Sequence, residues 1–283
     1  MNWNEICKKA ENILKEEYKK TYKSELYSIL RHCFGMSKVD LMMQKYENVD
    51  PKVQEKFFDI IKLRMKHKPL QYILGYWYFM DLKFKVGEGV LIPREDTEVL
   101  VRESLKYLKG MGTPTVIDLC SGSGCIAIAL KKELGERANV YAAEISERAY
   151  SYLQENIALN KCMVNAINGD IFKIFNDFDD NFFDAVVSNP PYIKTSDLSS
   201  LQEEVKKEPE MALGGGEDGL YFYKNICKLW IPKIKSGGII AFEVGIDQAL
   251  EVKKIMKNYG INSIEVFKDI NNIDRVILGQ KCL

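Results

Sequence analysis

"TVIDLCSGSGCIAIAL", Thr115–Leu130, decides how this chain folds. Thr115 to Leu119 is apolar or β-branched apart from Asp118, the pattern of a buried strand. Glycines at 122 and 124 interrupt it, and Cys125 to Leu134 then reads as a helix. Strand, glycine loop and helix open a βαβ unit, and Gly122, Gly124 and Ala127 satisfy G-x-G-x-x-A. Glu144 lies at the end of the next strand, Asn139 to Ile145, where a carboxylate can grip a ribose diol. The loop alone fits a nicotinamide dinucleotide, or a tight turn that holds nothing. Asp118 favours a different ligand. A carboxylate immediately before the loop repels a pyrophosphate and attracts an ammonium or a sulfonium. S-adenosylmethionine carries both cations and a ribose diol, without phosphate.

Strands and helices alternate from here to the carboxyl end. Strands are expected at Val164–Asn168, Ala185–Ser188, Gly238–Val244, Ile264–Phe267 and Arg275–Leu278. Helices are expected at Glu147–Asn160, Leu220–Leu229 and Asp247–Tyr259. This alternation specifies an α/β, Rossmann-like domain with a mostly parallel sheet covered by helices on both faces. The last two strands leave no room for a crossover helix, so they pair antiparallel. Asp170, after the third strand, is a third acid on the same sheet edge. It is placed to receive an adenine amino group, with Ile171 and Phe172 covering the ring.

The fourth strand runs into "SNPPYI", Ser188–Ile193. Neither proline can donate to a ladder, so the strand ends with Asn189 at its carboxyl end. The Asn189 side-chain oxygen and the Pro190 carbonyl can accept the two hydrogens of a planar amino group, and Tyr192 can pack on the group's flat face. Prolines fix that geometry in advance. Asn189, Pro190, Pro191 and Tyr192 therefore read as an acceptor corner for a conjugated –NH2, in an amide or an adenine, beside the donor loop.

The amino-terminal part is helical. Trp3, Ile6, Cys7, Ala10, Ile13 and Leu14 follow helical spacing. Further helices are expected at Glu25–Phe34, stopped by Gly35, at Lys38–Tyr46 behind Ser37, and from Asp50-Pro51 to about His67. Gln71 to Ile92 is aromatic and β-branched, as in a hairpin. We expect a helical domain at 1–68, a β-hairpin linker at 69–92 and the α/β domain at 93–283. Tyr76, Trp77, Tyr78 and Phe79 read as packing of that hairpin.

Lys plus Arg and Asp plus Glu are 40 each, so the net charge is zero and nothing marks a broad nucleic-acid surface. No run of about 18 apolar residues spans a membrane, and the first residues do not resemble a targeting segment. Seven scattered cysteines without paired spacing indicate a reducing, cytoplasmic compartment and no metal site.

"HKPLQYILGYWYF", "VLIPREDTEVLV", "VIDLCSGSGCIAIAL", "SNPPYI", "EPEMALGGGEDGL" and "NIDRVILG" together make the resemblance specific. The chain from about His67 to its end resembles the bacterial peptide-chain release-factor glutamine methyltransferases, class I S-adenosylmethionine-dependent enzymes. The resemblance implies a seven-stranded domain that takes S-adenosylmethionine and releases S-adenosylhomocysteine. The acceptor it implies is the glutamine of the Gly-Gly-Gln motif of release factors, with no nucleic-acid or membrane partner. It places the donor on Cys120, Ser121, Gly122, Ser123 and Gly124, with Glu144 on the ribose, and the acceptor on Asn189 to Tyr192. The same corner occurs in adenine methyltransferases of DNA or RNA, and a donor-binding protein without activity is a further alternative. Cys120 replaces the family's usual glycine, Glu144 its commoner aspartate, and Glu95 a proline. Arg94 and Glu98 read as a substrate-side or interdomain ion pair, or as a solvated helix start. In "EPEMALGGGEDGL", Gly214 to Gly216 read as flexible, and the loop as a cover over the cleft or a plain connector.

Overall fold

A computed structural model describes residues 1–282, which form two compact units: 1–75 with 202–207, and 76–201 with 208–282.

The first unit packs five helices: α1 (Trp3–Glu17), α2 (Tyr22–Phe34), α3 (Lys38–Gln44), α4 (Pro51–Met65) and α5 (Leu70–Leu74). The starts are capped as their sequences dictate. Asn2 and Glu5 exchange backbone hydrogen bonds at α1, Ser37 and Asp40 do so at α3, and Asp50 caps α4 ahead of Pro51. Gly35 ends α2 with a φ of 66°, a conformation that favours glycine. Trp3, Ile6, Ala10 and Leu14 meet Leu26, Ile29, Leu30 and Phe57 in one core. Arg64 is buried at 3% exposure and is held by Glu25 at 2.9 Å and by the Lys68 carbonyl at 2.6 Å. Glu204, from the 202–207 segment, accepts the Tyr18 hydroxyl at 2.8 Å and lies 3.5 Å from Arg64.

The second unit begins with the hairpin β1 (Tyr76–Phe79) and β2 (Leu82–Lys85), turned by Met80 and Asp81 at positive φ, as right-twisted two-residue hairpins require. The unit boundary therefore falls after Gly75, and the stretch 69–92 is not a separate linker. Leu70 belongs to the helical core, whereas Phe79 and Phe84 bury themselves with Leu100 and Val101.

Those last two lie on α6 (Thr97–Leu108), of which the sequence offered only a helix start near Glu98, as one alternative. Its buried positions, Thr97, Leu100, Val101, Ser104, Leu105 and Leu108, keep helical spacing, but two of them are hydroxyls and blur the apolar stripe. There follow β3 (Thr115–Leu119), α7 (Cys125–Leu134), β4 (Asn139–Glu144), α8 (Glu147–Leu159), β5 (Asn165–Asn168), β6 (Phe183–Ser188), α9 (Tyr221–Trp230), β7 (Ile234–Glu243), α10 (Ala249–Asn258), β8 (Ile261–Lys268) and β9 (Asp274–Lys281).

The seven-stranded sheet has the order β5-β4-β3-β6-β7-β9-β8. The first five are mutually parallel, and β9 runs antiparallel between β7 and β8. Its interior strands β3 and β6 are almost continuously buried because helices cover both faces. The winding reverses between β3 and β6, the place where open α/β sheets leave a crevice beyond their carboxyl ends.

Candidate active site

The β3–β6 ladder ends at the pair Leu119 and Ser188, and the Ser188 hydroxyl donates to the Leu119 carbonyl at 2.6 Å. One residue further on, the two strands release Cys120 and Asn189 side by side. A cavity of about 410 Å³ opens there. Cys120, Ser121, Gly122 and Ser123 line it from β3, Glu144, Ile145 and Ser146 from β4, Asp170, Ile171 and Phe172 from beyond β5, and Asn189 and Pro191 from β6.

The loop after β3 turns on positive φ at Cys120 (60°), Gly122 (53°) and Gly124 (80°). Nothing stands within 4 Å of where a Gly122 Cβ would lie, so the wall is open there. Gly124 faces inward instead. It caps α7, and a Cβ on it would meet Leu153 at 2.3 Å. Glu144 organises the turn, accepting the Gly122 N–H at 2.8 Å and the Ser146 N–H at 2.7 Å. Burial pushes its carboxyl above the usual range. Asp170 accepts the Phe172 N–H at 2.9 Å, and Phe172 stands beside Phe222 to form an apolar wall.

The chain is similar to known proteins. The family described as PrmC N-terminal domain matches residues 5–75, and Methyltransferase small domain matches residues 96–217. The release factor glutamine methyltransferase of Thermodesulfovibrio yellowstonii is 41% identical over 91% of this chain and 92% of its own length. That of Clostridium acetobutylicum is 37% identical over 96% and 95%. The chain belongs to the release factor glutamine methyltransferase family. A solved methyltransferase of Pyrococcus furiosus, 20% identical over 72% of this chain and 91% of its own, shares the fold with a TM-score of 0.53. The sheet of this family member is thus the seven-stranded class I methyltransferase fold, with a helical region ahead of it.

Within this methyltransferase, four expected residues stand off the cavity wall, the inward-facing Gly124 among them. Asp118 is fully buried. Its Oδ2 accepts the Ala127 N–H at 3.2 Å and its Oδ1 has no partner, so it lies behind the loop and does not touch the space directly. Burial holds its carboxyl well above the usual range. Pro190 is buried, leaving Pro191 on the wall. Tyr192 turns inward, its hydroxyl 3.3 Å from Glu243, and does not lie flat over the cavity.

Arg94 and Glu98 do not pair with each other. Arg94 bridges to the buried Glu208, which also accepts the Ile92 N–H at 2.9 Å. Glu98 bridges to Arg102 and accepts the Met80 N–H at 2.9 Å. The 208–220 loop is more than a connector, because Pro209, Met211, Ala212 and Gly214 line the cavity. Its glycines serve close approach. Ile193 and Gly214 form a parallel bridge, the Gly215 N–H donates to the Ile193 carbonyl at 2.7 Å, and a Gly215 Cβ would stand 2.6 Å from the Tyr192 Cα.

Thr97 and Glu243 were absent from the sequence reading. Asn189 Nδ2 donates to Thr97 Oγ1 at 3.2 Å, and the Thr97 hydroxyl donates to Glu243 Oε2. Burial pushes the Glu243 carboxyl up to about 7. The signal was present, since Glu243 is an acid at the carboxyl end of an apolar strand, as Glu144 is.

Proposed function

We propose that this chain transfers a methyl group from S-adenosylmethionine to the side-chain amide nitrogen of the glutamine in the Gly-Gly-Gln motif of peptide chain release factors. The observation that carries this reading is the register: the donor loop and the Asn189 corner leave adjacent paired strands into one cavity.

The residues suit this donor. Glu144 keeps free lone pairs on both oxygens for a ribose diol. Asp170 with Ile171, Phe172 and Phe222 offers an acceptor beside an apolar slot for adenine. The unpartnered Oδ1 of Asp118 offers a buried acceptor behind the loop, and a cation at the donor's end would favour its ionised form. A pyrophosphate fits poorly, because Glu144 and Asp118 already occupy the Gly122 and Ala127 N–H groups that would bind it. Bound there, S-adenosylmethionine supplies an electrophilic methyl carbon on sulfur.

The remaining chemistry belongs to the chain. An amide nitrogen is a poor nucleophile because its lone pair is delocalised into the carbonyl. Asn189 Oδ1 accepts one of its two hydrogens and holds the nitrogen toward the methyl carbon, which favours a more pyramidal nitrogen in the transition state. One of those hydrogens leaves as a proton to water. The strap of residues 209–214 closes the wall against competing water.

Labelled donor, offered separately to a release factor, DNA and RNA, tests the reading. Label in the Gly-Gly-Gln glutamine is expected. Label in adenine alone would replace this reading with the nucleic-acid one, and no transfer at all would leave only a binding protein.

A further inference from the structure

An asparagine amide presents an oxygen on one side and an NH2 on the other, nearly identical in shape. Acceptor recognition at this corner needs the oxygen to face the cavity. What turns it that way lies in two buried residues from two elements.

Thr97 opens α6 at 2% exposure, and Glu243 ends β7 at 1%. Ser188 and Phe242 are a register pair, so Asn189 and Glu243 follow one another's strands at the same level, with Thr97 touching both. The Thr97 hydroxyl has a single hydrogen, and it points to Glu243. Only lone pairs remain for Asn189, so its NH2 must face Thr97 and its oxygen must face away. We infer that Thr97 and Glu243 are positioning residues for the acceptor, a one-way hydrogen-bond relay that turns the Asn189 oxygen into the cavity.

The inference rests on the methyl-transfer reading above and adds to it a direction. A buried carboxylate is an expensive way to fill space, and an amide in its place has a donor side that leaves the direction open. Glu243 accepts from Thr97 on one oxygen and from the Tyr192 hydroxyl on the other. Asp96, just ahead of α6, and Arg275 from β9 are the charges facing it, Arg275 lying 3.3 Å from Asp96, and the Tyr223 hydroxyl of α9 donates to its backbone carbonyl at 2.9 Å. Once protonated, Glu243 donates to Thr97. The hydroxyl hydrogen is then released toward Asn189, and the amide is free to turn over. Correct orientation therefore requires the ionised carboxylate, and methyl transfer rises with pH through about 7.

Thr97→Val keeps the shape and removes the hydroxyl; Thr97→Ser does the opposite. In single-turnover transfer to a Gly-Gly-Gln release factor, the Val variant should lose about 100-fold in rate with calorimetric donor affinity intact, and the Ser variant should restore it. Glu243→Gln should lose rate and flatten the rise near neutral pH. Without any donor present, the Asn189 side-chain NH2 resonances, identified by their loss in Asn189→Ala, should move with pH in the wild type and stay fixed in Glu243→Gln. A Val variant as fast as wild type, or a Ser variant as slow as Val, would overturn the inference. Should Val fail to fold, a wild-type pH response surviving in Glu243→Gln overturns it instead. If wild type methylates no release factor, the functional reading fails, while the resonance titration still decides whether the relay exists.

Discussion

The Glu144 carboxylate and the Gly122 N–H are 2.8 Å apart, so the acid expected to hold the donor's ribose also holds the loop that receives it. Removing the side chain should do more than delete one ligand contact. Glu144→Ala frees the Gly122 and Ser146 N–H groups together with the diol contact, and donor affinity should fall by more than the roughly 1.5–3 kcal/mol of a single charge-assisted bond. Glu144→Gln keeps an acceptor oxygen and should fall less. Calorimetry on both variants checks this; equal losses would separate the carboxylate from the loop.

Asn189→Ala should abolish most transfer and spare donor affinity, because the two groups sit on different strands. A barrier increase of about 3–4 kcal/mol is expected, by comparison with a deleted transition-state hydrogen bond. Asn189→Asp retains an acceptor oxygen but adds charge beside a cationic donor whose charge disperses during reaction. It should fall between wild type and Ala in single-turnover rate.

Cys120 stands at a φ of 60°, where a side chain is strained and glycine is not. Cys120→Ala and Cys120→Gly remove the same thiol, so packing losses are shared. The Gly variant should be the more stable of the two by about 1 kcal/mol, measured by urea unfolding.

Glu208 is buried and joins Arg94 to the Ile92 backbone. Glu208→Ala leaves a buried N–H unpaired, at a cost of about 1–3 kcal/mol, and loosens the strap that carries Pro209 and Met211. KM for the release factor should rise while donor affinity holds.

Glu243 titrates near 4.5 in the unfolded chain and about 7 in the fold. Between those values the folded state keeps a proton that the unfolded state gives up. Stability is therefore greatest below 4.5, declines as pH rises, and levels off above about 7. The decline amounts to about 3 kcal/mol. Glu243→Gln removes it, so its stability relative to wild type should improve on going from acid to alkaline solution. Urea unfolding on either side of the window measures this; an unchanged difference would mean that the carboxyl titrates normally.

The strand-loop-helix unit and the Asn189 corner were legible because each is local: glycines, prolines and an acid act on their own neighbours. Glu144, Asp170 and Asn189 reach the cavity because a strand's carboxyl end points there whatever follows it. Asp118 and Tyr192 were misplaced because side-chain direction depends on what packs behind. Asp118 is drawn to the start of α7, and Tyr192 to Glu243. Thr97 was unreadable for another reason. Its value lies in a partner 92 residues away, which no periodicity reveals.

The pairing of Leu119 with Ser188 has a mechanical consequence. Neighbouring strands stand about 4.8 Å apart, and a hydrogen-bonded ladder is stiff against stretching. The spacing between the strand ends that carry Cys120 and Asn189 is thus set by backbone repeat, and side chains only aim the groups across it. Substitutions in the strap or the walls leave that gauge untouched, because the ladder sets it.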